Sequence, residues 1–257
     1  MGRMKFSANL GFLWSELSLP DAIRAAKAAG FDAVECHWPH DTPSDAVAHA
    51  LTETEMSMLG LNTSRGDVNS GENGLSALPG RETEARAAID DALAYAVAIR
   101  AENIHVMAGF ASGDAAHKTF LTNLRYACTQ AAQHNITILI EPLNRYDAPG
   151  YFLTTTEQAR TIINTVDATN LRLMFDCYHV QLMEGDLTHR LHDLRPLIGH
   201  IQFASVPDRG PPDHGEINYA HVFAEIDKTN WNAPIGAEYK PGGPTDETLG
   251  WLSQAKT

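Results

Sequence analysis

Cysteine is scarce and scattered in this sequence. There are 3, at Cys36, Cys128 and Cys177, and no two form a CxxC pair. An odd, dispersed set excludes a disulfide framework and a thiolate zinc site, and it suits a reducing compartment. Basic residues are also few: 19 Lys and Arg stand against 32 Asp and Glu, a formal net charge of -13. Such a surface repels phosphate backbones and anionic lipid, so neither nucleic acid nor a membrane is expected as a partner. No apolar run is long enough to cross a bilayer. The first residues, M-G-R-M-K-F-S-A-N-L, lack the apolar core of a secretory signal. A cytoplasmic protein is the expectation. No G-x-G-x-x-G follows the first apolar segment, so the dinucleotide fingerprint is absent too.

What is present is a long alternation. The chain has 257 residues, 44% of them hydrophobic, enough for a large core. Strands are expected at 5–10, 31–36, 58–63, 103–107, 136–140, 171–175, 200–203 and 234–237. Helices are expected at 19–29, from Ser44 as cap, at 81–100, 118–134, 154–166, 187–194, 219–228 and 245–254. In the helix at 81–100, Ala85, Ala88, Ile89, Ala92, Leu93, Ala96 and Val97 make one apolar stripe. T-T-T-E offers a capping box from Thr154 to Glu157. About eight strand–helix pairs in one chain of this size predict an α/β fold, a single closed (β/α)8 TIM barrel over 1–257. A doubly wound open sheet is the alternative. Residues 64–80 form the longest loop, read as a lid over the strand tips or a mobile surface loop. His37, Trp38, His40 and Asp41 sit at the tip of the second strand.

Four late strands end in oxygen donors. I-T-I-L-I stops at Glu141, and Pro142 then bars further pairing. L-M-F ends at Asp176, H-I-Q carries Gln202, and I-G-A ends at Glu238. A barrel converges its strand tips on one axis, where catalytic groups sit. Two unit charges ~4 Å apart repel by about 4 kcal/mol at an effective dielectric near 20. Three carboxylates there must take up protons or bind a cation. Three carboxylates and an amide oxygen, all hard donors, suit Mg²⁺ or Mn²⁺. His200 points to the same strand face as Gln202; it is a rival ligand, expected one layer deeper. His179, three residues past Asp176, is a candidate to reach substrate or orient a ligand.

At this point a resemblance becomes specific. I-E-P-L-N-R-Y-D-A-P-G-Y-F-L (140–153), F-D-C-Y-H-V-Q (175–181), H-I-Q-F (200–203), G-E-I-N-Y (215–219), A-E-Y-K-P (237–241) and L-P-G-R-E (78–82) resemble the hydroxypyruvate isomerase family, close to the 2-oxo-tetronate isomerases. That family lies in the xylose-isomerase-like barrel group, with the ketose 3-epimerases and endonuclease IV. The resemblance implies that Glu141, Asp176, Gln202 and Glu238 hold a divalent metal and that Glu141 and Glu238 are the acid–base pair. Epimerases of the group carry His where Gln202 stands. One departure is the loop at 204–215, F-A-S-V-P-D-R-G-P-P-D-H-G from Phe203 onward, where Ser205 replaces an acid. That change bears on the substrate more than on the chemistry.

The implied activity is isomerisation of a short hydroxy-keto acid to its aldehyde isomer through an enediolate. Hydroxypyruvate, giving tartronate semialdehyde, or a 2-oxo-tetronate would be the substrate. A substrate carboxylate needs a cation, and Arg209 and Lys240 are the local candidates; surface charge accounts for either equally well. A ketose 3-epimerase and a non-catalytic sugar-acid binding protein are the alternatives. Assembly as a homo-oligomer stays open.

Overall fold

Short β-branched and apolar runs become strands because their residues pack on both faces of a sheet. The computed structural model describes residues 4–39 and 41–255. Its strands are β1 (Phe6–Asn9), β2 (Ala33–Cys36), β3 (Met58–Asn62), β4 (Asn103–His105), β5 (Thr137–Ile140), β6 (Leu171–Asp176), β7 (Ile198–Phe203) and β8 (Ile235–Ala237). They pair in parallel in chain order, and β8 returns to β1 with Ile235 opposite Phe6. The sheet is a closed eight-stranded barrel, as the alternation predicts. His40 lies outside the described residues.

The helices are α1 (Leu19–Ala28), α2 (Ser44–Thr54), α3 (Glu82–Ile99), α4 (Gly113–Ala132), α5 (Thr156–Val166), α6 (Cys177–Met183), α7 (Leu187–Leu194), α8 (Tyr219–Lys228) and α9 (Gly250–Ala255). Several details differ from expectation. Ser44 is the first helical residue of α2, not its cap; Pro43 holds the cap position without a side-chain bond. The box at the start of α5 slides by one residue. Thr155 accepts from the Gln158 N–H at 3.2 Å, and the Gln158 side chain accepts from the Thr154 N–H at 3.1 Å. In α3 the buried stripe ends on Ala96 and Ile99, while Val97, one step round the helix, is 41% exposed. Small alanines let this helix lie close against the barrel. The expected last helix splits into a 3₁₀ turn at Thr245–Thr248 and α9, with Gly250, a poor helix former, at the start of the second piece. No helix among the described residues is long and apolar enough to cross a membrane.

Along each strand, side chains alternate between the barrel axis and the helical layer. On the outer side, Phe6, Phe203, Phe223 and Trp251 form an edge-to-face cluster with centroids 5.1–5.9 Å apart. Phe203 is fully buried there. Replacing it with Ala should cost about 3–5 kcal/mol, read as a lower midpoint in urea with an unchanged slope. A loss under about 1 kcal/mol would mean the cluster does not hold α8 and α9 to the barrel. On the inner side, Ser7, Asn9, Glu35, His200 and Gln202 are polar and buried. Apolar packing therefore carries the outer layer and hydrogen bonds the inner one.

Candidate metal centre and active site

Each expected metal donor sits where a strand stops. Glu141 is the first residue beyond β5, and Pro142 ends the pairing. Asp176 ends β6 and starts the next element. Its Oδ1 accepts from the Tyr178 N–H at 2.9 Å and caps α6, a helix that the sequence pattern does not reveal. Asp176 pairs in register with Gln202, and Gln202 pairs with Gly236, two residues before Glu238. The Arg209 guanidinium spans part of this ring, with Nη2 at 2.9 Å from Glu238 Oε2 and 3.8 Å from Asp176 Oδ2.

The donor atoms are unequally satisfied. Glu141 Oε1, Asp176 Oδ2 and Gln202 Oε1 are buried and have no hydrogen-bond partner. Buried polar atoms are nearly always paired, so three orphaned oxygens at the tips of the adjacent strands β5, β6 and β7 need a partner. Hard oxygen donors of this kind fit Mg²⁺ or Mn²⁺. Glu238 is already held. Its Oε1 accepts from Asn9 Nδ2 at 3.0 Å and lies 3.3 Å from His37 Nε2.

His179 is the other candidate donor. Single ligand atoms of Glu141, Asp176 and His179 lie within 4.8 Å of one another. Yet His179 Nδ1 accepts from the Asn144 backbone N–H at 3.0 Å. Burial and the nearby Arg209 push its pKa down to about 3, so the ring is neutral. A neutral imidazole accepting at Nδ1 carries its proton on Nε2. That proton faces Asp176 Oδ2 at 3.6 Å and Glu141 Oε1 at 3.9 Å. A nitrogen that keeps its proton is a poor ligand, and both distances are too long for a hydrogen bond, so His179 leaves these two oxygens unpaired.

Charge crowding is severe. Burial, then Glu238 and Asp176, raise the Glu141 carboxyl well above its usual range. Burial and Glu238 lift Asp176 to about 7. Burial also pushes Glu238 upward, but Arg209 and His37 outweigh it and hold that carboxyl at about 2. Raised carboxyls keep, in the folded state, protons that the unfolded chain releases near pH 4. The contribution of Glu141 and Asp176 to the stability of the metal-free protein should therefore fall as pH rises from about 4 to 7, while His105 and His179, depressed to about 4 and about 3, contribute stability that rises up to about pH 6.5. Glu238 acts oppositely, and only below about pH 4. In chelator, the melting temperature of wild type relative to Glu141→Gln should fall between pH 5 and pH 8, since both proteins carry the same histidines; an unchanged or rising difference contradicts the crowding.

Glu141 and Glu238 open into a cavity of about 230 Å³, lined also by His37, His105, His179 and Arg209. Arg65, Val68 and Asn73 of the long loop also line it, so that segment roofs the site. It is well tied: Glu72 accepts from the Asp67 N–H and from Arg81, each at 2.7 Å. Arg209 is buried, not surface charge. Besides Glu238 it reaches Asp147 at 3.3 Å, and its guanidinium lies 4.8 Å from the Phe12 ring and 5.0 Å from the Tyr178 ring. The Lys240 side chain is exposed and does not line the cavity; the structure does not bring it to the site. His200 lies one layer deeper, as expected, with Nε2 at 2.6 Å from Glu35 Oε2. The sequence pattern does not single out Asn9, Glu35, His105 or Asn144. Glu35 alone has a legible cue, a carboxylate inside the apolar run A-V-E-C.

A wider cavity of about 580 Å³ opens at the other end of the barrel, beside Glu102 and His134. Among the described residues it holds no cluster of metal donors.

The family model described as xylose isomerase-like TIM barrel matches residues 23–255. The 2-oxo-tetronate isomerase of Pectobacterium atrosepticum is 42% identical over 96% of this chain and 96% of its own length. The hydroxypyruvate isomerase of Escherichia coli is 38% identical over 97% and 98%. The crystal structure of a protein named AP endonuclease, family 2, from Brucella melitensis superposes with a TM-score of 0.95 at 37% identity, covering 99% of this chain and 100% of that one.

Proposed function

This chain belongs to the xylose isomerase-like TIM barrel family and to its group of hydroxypyruvate and 2-oxo-tetronate isomerases, and on that premise we propose that it is a divalent-metal-dependent isomerase of a short hydroxy-keto acid. The observation that carries the metal is the set of three orphaned oxygens on Glu141, Asp176 and Gln202. Glu238 completes the ligand set. A bound Mg²⁺ or Mn²⁺ would supply Lewis-acid stabilisation of negative oxygen on the substrate.

The protein's own residues move the proton. Glu141 and Glu238 both line the cavity. One takes the proton from the hydroxyl-bearing carbon and the other returns a proton to the neighbouring carbonyl carbon, while the hydroxyl proton passes from the first oxygen to the second and the two carboxyls re-equilibrate their protons with solvent after each turnover. Between the two transfers the substrate is an enediolate. A positioned acid or base of this kind contributes typically about 10²–10⁴-fold. His179, held neutral by burial and accepting from Asn144, presents its Nε2–H toward Glu141 and Asp176 from 3.9 and 3.6 Å, close enough to screen their charge and too far to bond them. Arg209 balances the acidic cluster.

Arg209 is committed to Glu238, Asp176 and Asp147. Arg65 lines the same cavity, and its guanidinium has no carboxylate partner among the described residues. We assign the substrate carboxylate to Arg65, with Arg209 as the internal counter-ion. A nuclease reading, which the name of the Brucella protein raises, meets a net charge of -13 that repels a phosphate backbone. Three free, buried cysteines suit a cytoplasmic setting.

The test is direct. Incubation with Mg²⁺ and a panel of keto acids should give aldehyde from hydroxypyruvate or a 2-oxo-tetronate. Chelator should abolish that activity and Mn²⁺ should restore it. Epimerisation of fructose or tagatose without keto-acid turnover, or indifference to chelator, contradicts the reading.

A further inference from the structure

Gln202 is a symmetric-looking ligand with an asymmetric requirement. Only one end of its amide can bind a cation; the other carries two hydrogens. Nothing in the β7 backbone decides which end faces the carboxylates. The decision comes from across the barrel. Glu35, on β2, places Oε2 at 3.3 Å from Gln202 Nε2 and at 2.6 Å from His200 Nε2. An ionised carboxylate only accepts hydrogen bonds. A reversed amide would set oxygen against oxygen and aim two hydrogens at the acidic cluster. Glu35 therefore accepts from both donors and leaves Gln202 Oε1 unpartnered and inward.

The site is shaped to hold this carboxylate. A Cβ added at Gly236 would overlap Glu35 Oε1 and would lie 2.9 Å from Gln202 Cγ. The absence of a side chain on β8 makes the room. Ser7 Oγ lies 3.5 Å from the same Oε1. Asn9 on β1 does the equivalent service for Glu238: its Oδ1 is fixed by the Gly11 N–H at 2.9 Å, so its Nδ2 must donate to Glu238. Early strands thus orient donors carried by late strands.

We propose that Glu35 is a positioning residue of the metal centre, turning the Gln202 amide so that its oxygen faces the ion. The inference rests on the reading of Gln202 as a metal ligand. The competing role is a buried Glu35–His200 pair that only stabilises the barrel.

Binding of Mn²⁺ to the full chain, titrated by electron paramagnetic resonance, separates the two. Glu35→Leu removes the acceptor at similar volume and should weaken Mn²⁺ binding about 10–100-fold. Glu35→Gln keeps one acceptor oxygen and should bind close to wild type. Glu35→Met, a second acceptor-free side chain of similar volume, should weaken binding as Glu35→Leu does; it serves where Glu35→Leu does not fold. On a Gln202→Ala background either change should have no further effect. Wild-type affinity in Glu35→Leu or Glu35→Met, or the same loss with and without Gln202, overturns the inference and leaves the proposed function standing. Failure of the unaltered protein to bind Mn²⁺ overturns both.

Discussion

Glu141→Gln and Glu238→Gln should each lower kcat/KM for the keto acid by about 10²–10⁴-fold, yet move stability in opposite directions. Glu141 is a buried carboxyl crowded by Glu238 and Asp176, with one oxygen unpaired. Its amide variant removes a charge that the metal-free fold resists, so melting in chelator at pH 8 should occur at a higher temperature than wild type. Glu238 is the reverse. It accepts from Asn9 and Arg209 and lies beside His37. Its amide variant leaves the buried guanidinium short of one partner, while Asp147 and Asp176 remain nearby. The expected cost is about 1–3 kcal/mol. Kinetics and melting curves on the same two preparations check both halves. Retained turnover in either variant would remove the acid–base assignment; equal stability shifts would remove the account of the crowding.

The second large effect concerns recognition. Arg65→Met should raise KM for the keto acid about 10–150-fold, the equivalent of ~1.5–3 kcal/mol for a hydrogen bond to a charged group. Its kcat should stay within a few-fold, because the contact is made in the ground and transition states alike. Turnover of a neutral hydroxyketone, poor in wild type, should be unaffected by the change. That pattern marks a carboxylate contact, since a general loss of loop structure would raise KM for both compounds. An unchanged KM for the keto acid would return the role to Arg209.

Much of the barrel, and the polar residues that end its strands, is legible in the chain, for a physical reason. A strand buried on both faces must be apolar, so its tip shows as an abrupt polar residue. Glu141 before Pro142, Asp176 after L-M-F and Glu238 after I-G-A all show that break. The residues that hold these donors give no such break. Asn9 is an ordinary polar residue in sequence, and its bond to Glu238 appears only when strands 229 residues apart are closed into one ring. Lys240 and Arg209 look equivalent in sequence, as cations near the motif. Two residues beyond Glu238, Lys240 continues outward into solvent, whereas the turn at Arg209, with φ at 57°, accompanies a side chain lying between two aromatic rings. Val97 is indistinguishable from a core residue in the pattern, because the alanines around it leave the helix rotation undetermined.

Whether four strand tips gather their oxygens around one divalent ion is tested most directly by crystals grown with Mn²⁺ and measured at a wavelength where manganese scatters anomalously. One strong peak bonded to Glu141, Asp176, Gln202 and Glu238 is expected, with His179 Nε2 outside the ligand shell. A peak bonded to His179 in place of Gln202, or no peak among the four, would contradict it.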